Sequence, residues 1–406
     1  MRISDLVKKI ILVFGGVIIL GAAVMIIVSL FNRKDDDEAF SNGEKTYFVT
    51  PTDAPSTEAT TEATTEYIVA EPELIEDEAP EVASSTDTEV QKPTTVTAAA
   101  IVEDRDMVDE KDPFFLICPS SVSIAKGKTF DAEEYVGYAD DYDRDVELEV
   151  SGEVDSSTTG SYPVKLTLKD DAGHTKTNNM TVIVTESASS DSEPSSSEGS
   201  ETFESFESNY KKEGTTLGID VSRWQKTIDF EKVKSAGCDF VIIRIGGLDD
   251  GKRYEDSCFK ENIKNAKSAG LKVGIYWHAE ESSMDEVRDS VDYLMNLLGG
   301  ESLDFPIAYD WEDFYGFQKY GMNLYDINNC FEVFCEEVEK EGYEACLYSS
   351  KNFLENTWTN SSNHKVWLAN YTSQTTYAGE YYMWQHSSTG KIDGISTAVD
   401  FNVLYE

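Results

Sequence analysis

The run Phe305-Pro306-Ile307-Ala308-Tyr309-Asp310-Trp311-Glu312-Asp313 carries an apolar stretch into two carboxylates one residue apart. In an extended strand residues i and i+2 face the same side, which puts Asp310 and Glu312 together. Their Cβ atoms would lie roughly 6–7 Å apart at a rise of about 3.3 Å per residue. Two carboxylates at the end of a buried strand repel each other. Unless water or a cation intervenes, one keeps its proton to higher pH. A neutral acid beside an ionised one is the pair that cleaves a glycosidic bond: one gives a proton to the leaving oxygen, the other stabilises charge on the sugar ring. The same tripeptide also arises where a strand simply runs out into water, so the elements around it have to decide.

Those elements begin at Leu217, where strands alternate with helices. Val233-Lys-Ser-Ala-Gly237 precedes Phe240-Val-Ile-Ile-Arg-Ile245, Ala266-Lys-Ser-Ala-Gly270 precedes Lys272-Val-Gly-Ile-Tyr276, and Val338-Glu-Lys-Glu-Gly342 precedes Ala345-Cys-Leu-Tyr348. In each, glycine closes a helix in the left-handed conformation and a β-rich run follows. Helix, glycine, strand, repeated, predicts a parallel sheet. With Leu217–Val221, Pro306–Asp310, Val366–Asn370 and Tyr382–His386 the strands number about seven, which favours a barrel over an open sheet. No glycine-rich phosphate loop follows any strand.

In parallel α/β barrels reacting groups gather at the carboxyl ends of the strands. Asp220, Arg244, Tyr276, Asp310 with Glu312, Tyr348, Asn370 with Tyr371, and Trp384 with Gln385 fall at those ends, and Asp400 follows in Val399-Asp400-Phe401-Asn402. Acids and aromatics around one mouth suit a sugar, whose faces stack on rings and whose hydroxyls bond to acids and amides.

Gly218-Ile-Asp220-Val-Ser-Arg-Trp224-Gln225, Val-Ile-Ile-Arg244, Tyr309-Asp310-Trp311-Glu312, Trp367-Leu-Ala369-Asn-Tyr371, Trp384-Gln385-His-Ser and Val399-Asp400-Phe-Asn402 together resemble the glycoside hydrolase family 25 lysozymes. The resemblance runs in order through residues 211–406. It implies an irregular, flattened (β/α) barrel of TIM-barrel type, and an N-acetylmuramidase that cuts peptidoglycan between N-acetylmuramic acid and N-acetylglucosamine. It further implies that Glu312 is the general acid and Asp310 its carboxylate partner. Asp220 and Asp400 would line the same cleft, and Arg244, Tyr276, Tyr348, Asn370, Tyr371, Trp384 and Gln385 would bind substrate. The run Trp277-His278-Ala279-Glu280 departs from the family pattern after the third strand, as does Gly246-Gly247-Leu248-Asp249-Asp250 after the second. His278 is as readily a rim residue as a substrate contact. Crowding by Asp310 and packing near Trp311 should raise the Glu312 pKa. The strand estimate falls between the separations for a carboxylate nucleophile and for an attacking water, and the family resemblance points instead to attack by the substrate's own 2-acetamido group. The four histidines have no metal-ligand spacing, so neither a metal nor another cofactor is expected.

The rest of the chain reads as a means of placing that barrel. Ile10–Leu30 contains no charge and, as a helix of about 21 residues, spans roughly 31 Å, enough for a bilayer. It reads as an uncleaved single-pass anchor at the cell membrane, with residues 1–9 cytoplasmic and the C-terminal domains outside, facing the wall. Residues 31–112 are an acidic Thr/Ser-rich stalk too poor in apolar groups to fold. Residues 113–186 alternate apolar and polar in three sets, Val146/Leu148/Val150, Val164/Leu166/Leu168 and Met180/Val182/Val184, which predicts a small antiparallel β-sandwich. The order Gly160-Ser-Tyr162-Pro-Val164 through Asp170-Asp-Ala172-Gly173 resembles bacterial immunoglobulin-like repeats and implies a spacer. Asp141-x-Asp143-x-Asp145 lacks the glycine and glutamate of a calcium-binding EF-hand, having Val146 and Gly152 there, and reads as a solvated acidic turn. Residues 187–210 read as a Ser/Glu-rich linker.

The formal charge is −43, and residues 215–406 carry 17 Lys/Arg against 32 Asp/Glu, so most of the excess lies before the barrel. That balance excludes nucleic-acid binding. Six cysteines without a CxxC pair fit buried free thiols, Cys330 and Cys335 above all. The expected partners are peptidoglycan strands, the membrane, and proteins of the wall or a secretion apparatus. The rival reading is a peptidoglycan-binding surface protein or adhesin without turnover.

Overall fold

The computed structural model describes residues 101–109, 111–186, 200–359 and 361–405. The anchor at 10–30, the tail before it, residues 31–100 of the stalk and residues 187–199 of the linker lie outside the described residues. Among the described residues no helix is long and apolar enough to cross a membrane.

Residues 215–405 form the barrel. Its strands are β7 (Thr215–Val221), β8 (Phe240–Asp249), β9 (Lys252–Glu255), β10 (Lys272–Ala279), β11 (Ile307–Trp311), β12 (Ala345–Ser350), β13 (Lys365–Ala369), β14 (Met383–Gly390) and β15 (Val399–Tyr405). They run β10-β11-β12-β13-β14-β15-β7-β8-β9, and a β10–β8 pairing closes the ring with β9 folded back as a hairpin. Pairings from β7 through β14 around the ring are parallel. β15 is antiparallel to both its neighbours, so the barrel is mixed rather than wholly parallel. The sequence reading missed β15 because no helix and glycine precede it. Gly270 and Gly342 do end their helices at positive φ, +76° and +85°.

Alternation divides the barrel residues between two layers. Phe240, Ile242, Ala308, Cys346, Tyr348, Trp367, Met383 and Leu404 pack inside the ring. Leu217, Ile219, Val241, Ile243, Tyr309, Trp311, Leu368 and Phe401 face the helices outside. The largest helices are Met284–Leu298 and Leu324–Lys340. The end of the supposed linker is a correction: Phe203–Tyr210 is a helix capped by Thr202. Its Phe203 and Phe206 are buried and pack on Phe401, the first edge-on and the second stacked, so this segment belongs to the barrel. Spacing of the two phenylalanines by three residues puts them on one helix face, a signal masked by the polar residues around them.

The preceding module has β1 (Phe114–Ile117) paired with β3 (Gly137–Ala139). A four-stranded sheet runs β2 (Ser121–Ala125), β6 (Thr175–Thr185), β5 (Gly160–Lys169), β4 (Glu147–Ser151). The three predicted strands are present, but β2 pairs with β6 in parallel, so the module is not purely antiparallel.

This module sits against the barrel. Leu116, Ile117 and Ala139 join the barrel's outer core. A Cβ on Gly137 would come within 1.7 Å of the Phe314 carbonyl oxygen, two residues past Glu312, so only glycine permits the approach. Arg144 grips Asp326 through Nε at 2.6 Å and Nη2 at 2.8 Å. Asn323, the buried N-cap of Leu324–Lys340, donates to the Tyr142 carbonyl at 2.6 Å. The end of the supposed stalk is a further correction: Val102 and the Asn329 side chain exchange hydrogen bonds of 2.9 and 2.8 Å, and Ile101 packs on the barrel core.

Candidate active site

The inward-facing residues at the carboxyl ends of the strands converge. Asp220 and Asp400 are direct cross-strand partners, because antiparallel β15 begins at the mouth where β7 ends. Asp220 is buried; its Oδ2 accepts from Gln385 Nε2 at 2.9 Å and from Asn402 Nδ2 at 2.7 Å. Gln385 Oε1 in turn accepts from the hydroxyls of Tyr348 and Tyr371, both at 2.8 Å. Trp367 Nε1 donates to Asn402 Oδ1 at 2.8 Å and fixes that amide's orientation. The amide of Gln385 thus has one assignment: oxygen to the phenols, nitrogen to the acid.

Burial pushes the Asp220 carboxyl up to about 6, against the lowering effect of the Gln385 and Asn402 amides, with the Asp310 charge raising it further and a hydrogen bond with Asp400 lowering it. Burial also holds Tyr348 and Tyr371 well above an ordinary phenol; the acids Glu312, Asp310 and Asp220 add to this at Tyr348, and Asp400, Glu312 and Asp220 at Tyr371. Both phenols therefore stay protonated and act as donors.

Asp310 pairs in register with His278 of β10 and is buried, while Glu312, one residue beyond the end of β11, is exposed at the rim. His278 Nδ1 lies 3.8 Å from Asp310 Oδ2. One atom from each of His278, Asp310 and Glu312 lies within 4.8 Å of the other two, so the two acids share a face, as the strand geometry requires. Trp311 points the other way, into Phe314, Phe317 and Tyr320. The Trp311 ring therefore does not pack on the mouth side with Glu312.

The other expected residues do not all face the mouth. Trp384 is a correction: it lies on the outer face of β14, its Nε1 bonded to the Asn370 carbonyl at 2.8 Å and its ring edge-on to Tyr210. Alternation allows Gln385 or Trp384 to face the mouth, not both. Arg244 faces inward but is 1% exposed, and its Nε pairs with buried Asp256 at 2.9 Å. Asp256 also accepts from the amides of Arg223 and Cys258, so the pair ties the loops after β7 and β9 together and presents no guanidinium to a ligand. Tyr276 is half-buried with its edge to Trp367. Asn370 is tied to Thr372 at 3.2 Å in the loop after β13.

One contributor was not singled out from the sequence, and another stood in the family motif without an assigned role. Glu281 is fully buried behind the acid pair, accepting from Trp277 Nε1 at 2.8 Å and Tyr309 Oη at 3.3 Å, while its carbonyl accepts from Trp311 Nε1. It fastens the outward residues of β10 and β11, and so fixes the phase that turns His278 and Asp310 inward. Trp224, after β7, is among the few exposed large apolar residues, with the Arg223 guanidinium 5.1 Å from its ring.

Comparison with known proteins identifies both folded regions. Residues 219–395 match the glycosyl hydrolases family 25 and residues 116–184 match the bacterial surface protein Ig-like domain. The barrel is a family 25 glycosyl hydrolase domain, preceded by an immunoglobulin-like domain of bacterial surface proteins. The chain is 28% identical over 191 residues to an autolytic lysozyme of Clostridium acetobutylicum, which covers 47% of this chain and 56% of that protein. It is 30% identical over 199 residues to Lysozyme M1 of Streptomyces globisporus, 46% of this chain and 66% of that protein. The crystal structure of a bacterial lysozyme from Streptomyces coelicolor matches 46% of this chain and 90% of its own at 26% identity, with a TM-score of 0.39. The chain thus spans between about half and two thirds of the curated relatives' own length.

Proposed function

We propose that the protein is a muramidase that hydrolyses the β-1,4 bond between N-acetylmuramic acid and N-acetylglucosamine in peptidoglycan. The observation that carries the reading is the approach of Asp310 and Glu312 within one mouth, the first buried and the second exposed. Glu312 stands where it can reach a leaving glycosidic oxygen and donates its proton as the bond breaks. Positive charge then builds on the muramic acid ring. Ionised Asp310 lies below it, stabilising that charge and orienting the 2-acetamido group for attack on the anomeric carbon. Water then opens the cyclic intermediate, with Glu312 taking back a proton. Asp220, held by Gln385 and Asn402, forms the opposite wall of the mouth with Asp400.

The uncharged run 10–30 supports membrane anchoring, with the barrel held outside the cell to remodel the wall or open it for a secretion apparatus. Fractionation of cells expressing the full chain should find it in the membrane; recovery from the soluble fraction would remove the anchor. For the chemistry, the full chain should release reducing ends from peptidoglycan. Glu312→Gln should lower that release by about 10²–10⁴-fold while wall binding persists. Equal release by the two proteins would refute the assignment of Glu312.

A further inference from the structure

The acidic turn after β3 sits only partly in water: Asp145 is exposed, but the carboxylates that open the turn are not. Asp140 and Asp141 are 0% and 6% exposed. Asp140 Oδ1 accepts from the amides of Tyr142 and Asp143, both at 2.8 Å. Its Oδ2 is buried with no hydrogen-bond partner among the described residues, and so is Oδ1 of Asp109, from the segment before β1. One carboxylate oxygen from each of Asp109, Asp140 and Asp141 lies within 4.8 Å of the other two. Two neighbouring cations have other carboxylate partners. Arg144 holds Asp326 and Asp104, at 2.6 and 2.8 Å. His174 holds buried Asp170 at 2.8 Å and stands 4.0 Å from Asp109. A buried carboxylate persists in a fold when it is paired or bound to a metal.

We propose that Asp109, Asp140 and Asp141 form a calcium site at the junction between the immunoglobulin-like module and the barrel. An all-oxygen donor set selects a hard cation. Calcium takes roughly six to eight oxygens at about 2.3–2.6 Å, so one ion bridges oxygens up to about 4.8 Å apart. Magnesium, at about 2.0–2.1 Å, bridges less and is usually held by only one or two carboxylates. Asp140 connects the site to the barrel: its carbonyl accepts from the Leu324 amide at 3.0 Å, at the start of the helix that follows the Glu312 loop. Filling the site therefore fixes the module on the barrel. The ligands come from two segments separated by β1, β2 and β3, so no EF-hand spacing reveals them.

The test uses the full chain freed of metal by chelation, with calcium chloride as the probe and magnesium chloride and sodium chloride as controls. Calorimetry should show calcium binding, and at a hundredfold excess over Kd the melting temperature should rise by about 5 °C, with a smaller rise in magnesium and none in sodium. Asp140→Asn keeps the Oδ1 acceptor of the turn but loses the charge, and should lose the calcium-dependent rise. In chelator it should melt no lower than the wild type, because buried repulsion is relieved. Asp109→Asn, at a half-buried position outside the turn, should lose the rise as well and decides the matter if Asp140→Asn does not fold. No calcium-dependent rise in the wild type would overturn the proposal. So would a rise of equal size in the Asp109→Asn protein, which would put the ion elsewhere.

Discussion

Asp220 illustrates how one side chain carries both a structural and a chemical constraint. Its carboxyl is raised to about 6 by burial, against about 3.9 for an unfolded aspartate. Between those values the folded protein binds more protons than the unfolded one, so this group contributes stability on the acid side that is lost as pH rises from about 4 to about 6. Asp220→Asn keeps an oxygen to accept from Gln385 and Asn402 but cannot ionise. The melting temperature of the wild type relative to this variant should fall across that window. A difference that stays constant from pH 4 to pH 7 would contradict the raised value. The four acids of the mouth were legible in the sequence because strand ends and family motifs coincide there. Arg244 was legible as a position but not as a role, since its partner Asp256 lies beyond a hairpin that the periodicity did not show. Asp141 was read as part of a solvated turn because composition records charge and not the barrel packed beside it.

At the scale of elements, what matters is the phase of each strand. β11 was read correctly because its buried run leads straight into the acid pair. β14 was not, because Trp384 and Gln385 are both plausible sugar contacts and alternation admits only one of them to the mouth. The structure admits Gln385, and its amide joins β14 to β12, β7 and the loop after β13. Gln385→Leu would leave two phenols and a carboxylate without their shared partner. We expect a loss of roughly 2–3 kcal/mol in denaturant unfolding, together with weaker turnover. A loss below about 0.5 kcal/mol, the range of ordinary surface changes, would show that the network adds little. β15 escaped notice because its antiparallel course breaks the helix-glycine-strand rhythm, yet that course is what brings Asp400 to the mouth opposite Asp220.

At the scale of the whole molecule, the immunoglobulin-like module is better described as a brace than as a spacer. It touches the loop that follows Glu312 through Gly137 and caps the next helix through Tyr142 and Arg144. Its apolar alternation announced strands, but nothing in the sequence announced docking, since Leu116, Ile117 and Ala139 read as the module's own strand residues and the other contacts come from one glycine and scattered polar groups. Gly137→Val should force the module off the Phe314 carbonyl, at a cost of about 1–3 kcal/mol for overpacking. Turnover should fall several-fold while wall binding changes little. Unaltered kcat and unaltered melting would mean that the module does not bear on the catalytic loop. The central claim is that Glu312 and Asp310 together cleave the glycan on the muramic acid side. The most direct measurement is to digest a defined glycan polymer with the full chain, reduce the products and identify the new terminal sugar. The account predicts reduced muramic acid, absent from the Glu312→Gln digest. Reduced glucosamine, or identical products from both proteins, would contradict it.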